Sequence, residues 1–181
     1  MSQAETCYTR TAVALHWLAG VLILCGFAVG LWMTGLEFGP LKFRWYAYHK
    51  WIGITVFLLA MLRLGWRRKH PPPPPVTMPE WQRRAAATTH VLLYALMLAI
   101  PLSGWLYSSA TGVSVVYLGV LPLPDLVPKG KALAAILKVL HVTLNYTLLA
   151  LVILHAGAAL KHHFVDRDGV LARMLPFPPR A

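Results

Sequence analysis

Four long apolar segments alternate with shorter polar stretches along the chain, at about 11–33, 45–66, 85–107 and 132–163. An α-helix needs about 20 predominantly apolar residues to cross the hydrocarbon core of a bilayer, and these segments reach that length. The second segment is the weakest by hydropathy, because Lys50 and Arg63 bracket an apolar run that is short for a full crossing. Extension of both cationic side chains to opposite membrane interfaces makes the crossing reasonable. The pattern predicts an all-α membrane protein built as a four-transmembrane-helix bundle.

The stretches between these segments predict connections rather than further domains. Residues 37–44 contain Gly and Pro and predict a short polar connection. Residues 67–84 begin with a basic run and contain five consecutive prolines, which predicts an extended linker. Residues 108–131 include an apolar stretch too short to cross and predict a loop on the membrane surface. The whole chain, 1–181, is therefore predicted to form one membrane domain.

The composition supports this interpretation and limits the alternatives. Of the 181 residues, 57% are hydrophobic and only 13% are charged, which is unusual for a soluble domain. A net charge of +11 could indicate a nucleic-acid partner. The basic residues lie between apolar segments, however, so membrane lipid is the predicted partner and nucleic acid is not. Cys7 and Cys25 form no CxxC or CxxCH motif, so neither a thiolate metal site nor covalently attached haem is predicted.

The basic residues predict an orientation for the bundle. Eleven of the 17 Lys and Arg residues fall on the side that carries both termini and the 67–84 linker. Cytoplasmic loops are enriched in Lys and Arg, so both termini and the linker are predicted to be cytoplasmic. The outer side carries the six remaining cations: Lys42, Arg44, Lys50, Lys129, Lys131 and Lys138.

Histidines occur inside the predicted membrane segments, where an ionisable side chain is costly and calls for a function. His141 and His155 share the fourth segment, and a helix would place them about 21 Å apart along its axis and about 40° apart around it. His155 and His16 both fall on the cytoplasmic half of the bundle, and His141 and His49 on the outer half. Two histidine pairs are therefore predicted, one at each depth.

Two facing imidazoles at one depth are what a haem iron needs as axial ligands. Zinc fits less well, because it prefers four tetrahedral ligands that include Cys or carboxylate groups. An isolated histidine in an apolar helix is often only a hydrogen-bonded core residue, so the haem hypothesis depends on four histidines at matching depths. His90 also lies on the inner half and is a rival ligand there, whereas His70 is predicted to be solvated.

Three glycines and one cation accompany the histidines. A flat macrocycle requires a neighbouring helix turn without a bulky side chain, and Gly20 and Gly53 each follow a predicted ligand by four residues. Gly30 lies at the depth of the outer pair. Glycines also occur in membrane helices for packing alone. Arg63 lies at the depth of the inner pair, where it could pair with a haem propionate or act as an interfacial anchor.

Several of these residues together resemble the bacterial cytochrome b561 family over nearly the whole chain. The similar features are a His-Trp pair opening the first segment, His49 opening the second, and His141 and His155 in the fourth, which closes with His155-Ala-Gly-Ala-Ala-Leu-Lys-His-His-Phe. The resemblance implies a bacterial inner-membrane cytochrome with two b haems between its helices. It implies that His16 and His155 ligate the inner haem and that His49 and His141 ligate the outer one.

The resemblance also implies electron exchange with ubiquinone, and some members are similar to superoxide oxidases, which convert superoxide to dioxygen while reducing the quinone. The outer face carries cations that could attract superoxide or serve only as interfacial anchors. These cations are Lys42, Arg44, Lys50, Lys129 and Lys131. His162 and His163, at the inner end of the fourth segment, could meet a quinone or simply belong to a basic edge.

Two functions follow from these features. The leading hypothesis is a di-haem superoxide:ubiquinone oxidoreductase that needs no catalytic acid or base, because superoxide is itself a one-electron donor. The alternative is a non-enzymatic haem b anchor that connects a dehydrogenase, as a redox partner protein, to the quinone pool. The sequence contains no recognisable catalytic triad or phosphate-binding glycine loop.

Overall fold

The computed structural model describes residues 7–176, and four long helices account for most of them. The helices are α1 (Arg10–Thr34), α2 (Pro40–Lys69), α3 (Glu80–Thr111) and α4 (Lys131–Lys161). A π-helical turn, His162–Asp166, extends α4 and is followed by a short 3₁₀ helix, Ala172–Met174. Each long helix has the length and hydropathy needed to cross a membrane. The predicted all-α membrane bundle is confirmed. Arg180, one of the cations assigned to the inner side, lies outside the described residues.

The first three helices are longer than the apolar segments from which they were predicted, whereas α4 closely matches its segment. Residues 40–44, expected in a connection, form the first turns of α2, and the linker between α2 and α3 shrinks to 70–79. Proline is favourable in the first turn of a helix, where its missing N–H needs no partner, so Pro40 starts α2. Glu80 starts α3 and forms ion pairs with two arginines one turn later. Hydropathy does not detect such polar turns.

The helices pack in chain order, α1 on α2, α2 on α3 and α3 on α4. A small core joins the first three helices, where Ala19 and Ala60 are almost fully buried. Such small side chains allow close helix approach in a membrane. Leu96, Ile100 and Leu148 form a second core between α3 and α4. In the described part of the chain, neither α1 nor α2 packs extensively on α4. Among the described residues of α1, only Ile23 and Phe27 reach the second core, so the bundle is largely open along one side of α4.

The loop between α3 and α4 covers the end of the bundle that is predicted to face outward. It contains an antiparallel hairpin of β1 (Val116–Tyr117) and β2 (Leu121–Pro122). The indole N–H of Trp51 donates to the Val116 carbonyl at 2.7 Å, and the hydroxyls of Thr55 and Tyr117 are 3.0 Å apart. These contacts fix the hairpin on α2. The loop begins at Gly112, because residues 108–111, predicted as loop, complete α3.

At the inner end, the segment after α4 joins parts of the chain that are distant in sequence. The indole N–H of Trp17 donates to the Met174 carbonyl at 2.6 Å. The guanidinium of Arg173 donates to the carbonyl of Pro74 in the proline linker at 2.7 Å. The C-terminal turn therefore contacts both α1 and the linker, next to the position of His16.

Candidate functional site

The inner histidine pair lies between α1 and α4. The ring centres of His16 and His155 are 6.1 Å apart and their planes are inclined by 47°. Both residues are partly buried. His90, on α3, comes within 5.3 Å of His155, measured between ring centres, so three imidazoles meet at this level. His90 is itself exposed on the surface of α3. The predicted inner pair and its predicted rival are thus close together.

The outer histidine pair lies between α2 and α4. The ring centres of His49 and His141 are 6.3 Å apart, and their planes are almost perpendicular, at 89°. Both pairs connect helices that do not pack extensively on each other. The histidines therefore face each other across spaces that are not closed by helix packing.

Both separations fit a metal ion between the rings. An imidazole nitrogen binds a metal at about 2 Å and the ring centre lies roughly 1 Å beyond it, so two axial imidazoles have ring centres about 6 Å apart. The spacings of 6.1 and 6.3 Å agree with this value. The arrangement can therefore hold two histidine-ligated cofactors at two depths.

Unpaired ring nitrogens also distinguish two of these histidines from ordinary core residues. The Nδ1 atoms of His16 and His49 are buried and have no hydrogen-bond partner among the described residues. The Gly26 backbone lies beside the His49 ring, but the pair does not reach hydrogen-bond geometry. An unpaired buried polar atom costs about 1–3 kcal/mol, so a histidine kept only for packing would not be expected there.

A cavity of about 400 Å³ opens beside the outer pair and is lined by His49, His141, Gly53 and Gly104, among others. It is mostly apolar, and its volume is in the range of ligand-binding cavities. Lys42 and Lys50 line the same cavity. A group that binds the outer histidines would therefore lie in the same cavity as the side chains of Lys42 and Lys50.

The glycines differ in their surroundings. A Cβ at Gly20 or Gly53 would meet no atom within 4 Å, which leaves open space beside both predicted positions. A Cβ at Gly30 would lie 3.2 Å from Cε1 of His49, and one at Gly104 would lie 3.0 Å from Cε1 of His141. Gly104 was not predicted from the sequence. Spacing along α3 gave no signal for it, because its contact is with a ring on another helix.

Arg63 lies at the level of the inner pair, as predicted. Its guanidinium carbon is 5.3 Å from the centre of the Tyr94 ring, a cation–π contact. Its charge acts on the nearby rings of His16 and His155. Arg63 is partly buried and has no ion-pair partner among the described residues. A partly buried cation without an acidic partner favours a bound anionic group. That this group is a haem propionate stays a prediction.

The structure divides the five cations of the outer face into groups. Lys42 donates to the Leu36 carbonyl at 2.7 Å and Lys50 to the Val113 carbonyl at 3.0 Å, both at the cavity of the outer pair. Lys129 and Lys131 line a separate open hollow of about 500 Å³. Arg44 is exposed and lines neither space. Only two of the five cations therefore lie beside the histidines.

The two histidines at the end of α4 also have different surroundings. His162 is largely buried, and its Nδ1 lies 2.5 Å from an Asp168 carboxylate oxygen. His163 is exposed and packs edge-on against the Phe164 ring. Only His162 is thus fixed by an acidic partner, at the inner end of the same helix that carries His155.

The fold and the histidine geometry define a class of protein, a helical membrane bundle with sites for metal cofactors between its helices. The chain matches the family model for prokaryotic cytochrome b561 over residues 7–177, and it belongs to that family. Membership implies a haem b-binding membrane protein that transfers electrons. The family predicted by resemblance is therefore confirmed.

Three relatives extend this comparison over almost the whole chain. Cytochrome b561 homolog 2 of Escherichia coli (strain K12) is 36% identical over 173 residues, which cover 93% of this chain and 90% of that protein. Cytochrome b561 homolog 1 of the same organism is 31% identical over 175 residues, or 93% and 97%. A Yersinia pestis protein named probable superoxide oxidase CybB is 30% identical over 172 residues, or 93% and 96%.

Proposed function

We propose that this chain is a di-haem membrane oxidoreductase that takes electrons from superoxide at the outer face and delivers them to ubiquinone. The main support is the presence of two histidine pairs with ring centres 6.1 and 6.3 Å apart, the spacing of axial ligands on one metal ion. The name of the Yersinia pestis relative supports superoxide as the electron donor.

In this proposal, His16 and His155 ligate the inner haem b, and His49 and His141 ligate the outer one. Haem b, when bound, supplies reversible one-electron transfer at its iron. The protein sets the distance between the two sites through α4, on which His141 and His155 are separated by about 21 Å along the helix axis. The open space beside Gly20 and Gly53 is consistent with a macrocycle at each level.

His90 is proposed to lie beside the inner haem without binding its iron. It belongs to α3, which packs directly on α4 and leaves little room for a macrocycle between the two helices. His16 instead faces α4 across the open side of the bundle and has a buried, unpaired ring nitrogen. Arg63, partly buried and without an acidic partner in the described chain, is proposed to bind a propionate of this haem.

Superoxide is proposed to approach the outer haem through the cavity that Lys42 and Lys50 line. An ammonium group has three N–H donors, and Lys50 has one hydrogen bond, to Val113, so its remaining donors can meet a small anion. Arg44, Lys129 and Lys131 add positive potential at the same face, which raises the encounter rate with anions. Two superoxide ions release two dioxygen molecules and two electrons.

Ubiquinone is proposed to bind at the inner edge of the bundle, near His162 and His163. It takes up the two electrons together with two protons and leaves as ubiquinol. His163 is exposed beside Phe164, so its ring can donate to a quinone carbonyl. His162 is largely buried and is held in place by Asp168. Both termini and the proline linker are proposed to be cytoplasmic, consistent with the basic residues of the inner side.

Stopped-flow mixing of superoxide with the oxidised, purified protein tests this function. The haem absorption should change to that of the reduced form much faster than superoxide dismutates. Lys42→Gln combined with Lys50→Gln should slow this reduction by about tenfold or more at low salt. Lys129→Gln combined with Lys131→Gln removes the same charge from the separate hollow and should slow it less.

Absence of haem reduction by superoxide would contradict the proposed donor. If a co-purified dehydrogenase then reduced the haems, the chain would instead be an electron-carrying anchor. Equal effects of the two lysine pairs would contradict the assigned entry route and would indicate a general effect of surface charge.

A further inference from the structure

His141 is the one paired histidine that forms hydrogen bonds within the described part of the chain. Its Nδ1 lies 2.9 Å from the Ser103 hydroxyl oxygen and 3.2 Å from the Ile100 carbonyl oxygen. The Ser103 hydroxyl in turn donates to the same Ile100 carbonyl at 2.7 Å. Ser103 is only 3% exposed, so water does not compete freely for these groups. The Nδ1 of His141 and two oxygens on α3 therefore form a closed triangle of polar atoms.

These contacts determine which nitrogen of His141 carries the proton. The Ile100 carbonyl can only accept, so its contact with the ring requires an N–H at Nδ1. Ser103 uses its single proton on that carbonyl, and its oxygen is left to accept from the same ring N–H. A neutral imidazole protonated at Nδ1 has its free lone pair at Nε2. The triangle thus favours the tautomer in which Nε2 can bind a metal.

The neighbouring residue restricts the ring from another direction. A Cβ at Gly104 would lie 3.0 Å from Cε1 and 3.3 Å from Nδ1 of His141, so the glycine lets α3 come close to the ring. Ile100, Ser103 and Gly104 lie on one stretch of α3, around Pro101. His49, on the other side of the outer site, has no such anchor at its Nδ1. The two proposed ligands of the outer haem are therefore held unequally.

We propose that Ser103 is a positioning residue for His141, which fixes the ring with Nε2 free for the iron and lowers the reduction potential of the outer haem. The inference depends on the proposed function, because it takes His141 to be an axial ligand. Acceptors at the distal N–H of a ligating imidazole increase the basicity of the ligand. A more basic ligand stabilises the ferric state, and hydrogen bonding of this kind is one means by which proteins set haem potentials.

A spectroscopic redox titration of the full-length haem-loaded protein tests the role of Ser103. Ser103→Ala should shift one of two midpoint potentials upward and leave the other unchanged. Ser103→Thr retains a hydroxyl and should restore most of the original value. Ser109→Ala is the control on the same helix: it removes a buried hydroxyl that donates to the Trp105 carbonyl, accepts from the Leu126 N–H and contacts no histidine. It should leave both potentials unchanged.

The outcomes separate this inference from the proposed function. Two haems in the wild type, with both potentials unchanged in Ser103→Ala, would overturn the role of Ser103 and leave the di-haem assignment intact. An upward shift that Ser109→Ala reproduces would also overturn it. A wild-type protein with fewer than two haems would contradict the proposed function itself.

Discussion

The paired histidines differ, residue by residue, in how their ring nitrogens are satisfied. His141 has the Ser103 hydroxyl and the Ile100 carbonyl at one nitrogen. His16 and His49 each leave a buried nitrogen without a partner in the described chain. Burial without a hydrogen bond costs about 1–3 kcal/mol, which is a large fraction of the stability of a domain. Packing alone therefore does not explain why these two histidines are buried there.

Removing one ligand should remove one haem. His141→Ala should lose the outer haem and retain the inner one, because each proposed site uses a different pair of histidines. Haem counted per chain should fall by half in the reduced-minus-oxidised spectrum. His90→Ala is the control, since His90 lies close to His155 but is not proposed to bind iron. Retention of both haems in His141→Ala, or loss of one in His90→Ala, would contradict the pairing.

The glycines illustrate how far residue spacing can predict a site. The spacing predicts Gly20 and Gly53 as site residues, because each lies one turn beyond a predicted ligand on its own helix. In the structure, both positions border open space. Spacing along one helix does not report contacts between helices. Gly104 approaches His141 across the α3–α4 interface, so only the packing of those helices makes its role visible. The contact of Ser103 with His141 could not be predicted from the sequence for the same reason.

Adding a methyl group at Gly104 should disturb the outer site. The new Cβ would lie 3.0 Å from the His141 ring, and such overpacking costs roughly 1–3 kcal/mol. Gly104→Ala should therefore lower haem occupancy and thermal stability. Gly65→Ala is the matched control, because a Cβ there meets nothing within 4 Å. A Gly104→Ala protein with unchanged haem content and melting temperature would show that the ring adjusts without cost.

At the scale of elements, hydropathy predicted the four spans but underestimated the lengths of α1, α2 and α3. The additional turns are polar and depend on local chemistry, as in the first turn of α3, where Glu80 pairs with Arg83 and Arg84. Hydropathy also did not predict the π-helical turn after α4, because the apolar pattern does not report how a helix ends. That end turns His162 towards Asp168 and leaves His163 exposed.

Asp168 anchors the turn that follows α4, outside the membrane-spanning part. Burial acts to raise the pKa of its carboxyl group, but hydrogen bonds from the Val170 N–H and from His162 outweigh burial and hold this pKa below its usual value. A carboxyl with a lowered folded-state pKa stabilises the fold above its unfolded pKa of about 4. The contribution is lost as the pH falls through the folded-state pKa.

Asp168→Asn should therefore lower the melting temperature at pH 7, and the difference from the wild type should shrink as the medium is acidified below about pH 4. Thermal unfolding in detergent across this range measures the effect. Asp125→Asn makes the same charge change in the exposed outer loop and serves as the control. A difference that grows on acidification would contradict the stabilising role of the Asp168 carboxylate.

At the scale of the whole molecule, the helices pack mainly in chain order, and neither α1 nor α2 packs extensively on α4 in the described part of the chain. In a membrane, lipid supplies no hydrophobic force that would close such a gap. A ligand that binds the folded bundle there stabilises it in proportion to its affinity. In the proposed function, this side of the bundle would hold each haem, and the four proposed ligands would come from three helices.

The number of b haems per chain tests the central claim most directly. Haem quantified against protein, together with a reduced-minus-oxidised visible spectrum of the purified membrane protein, should give two b haems per chain, one for each histidine pair. A spectrum without a b-type band, or a well-folded protein with a single haem per chain, would contradict the assignment of His16 with His155 and His49 with His141 as two separate sites.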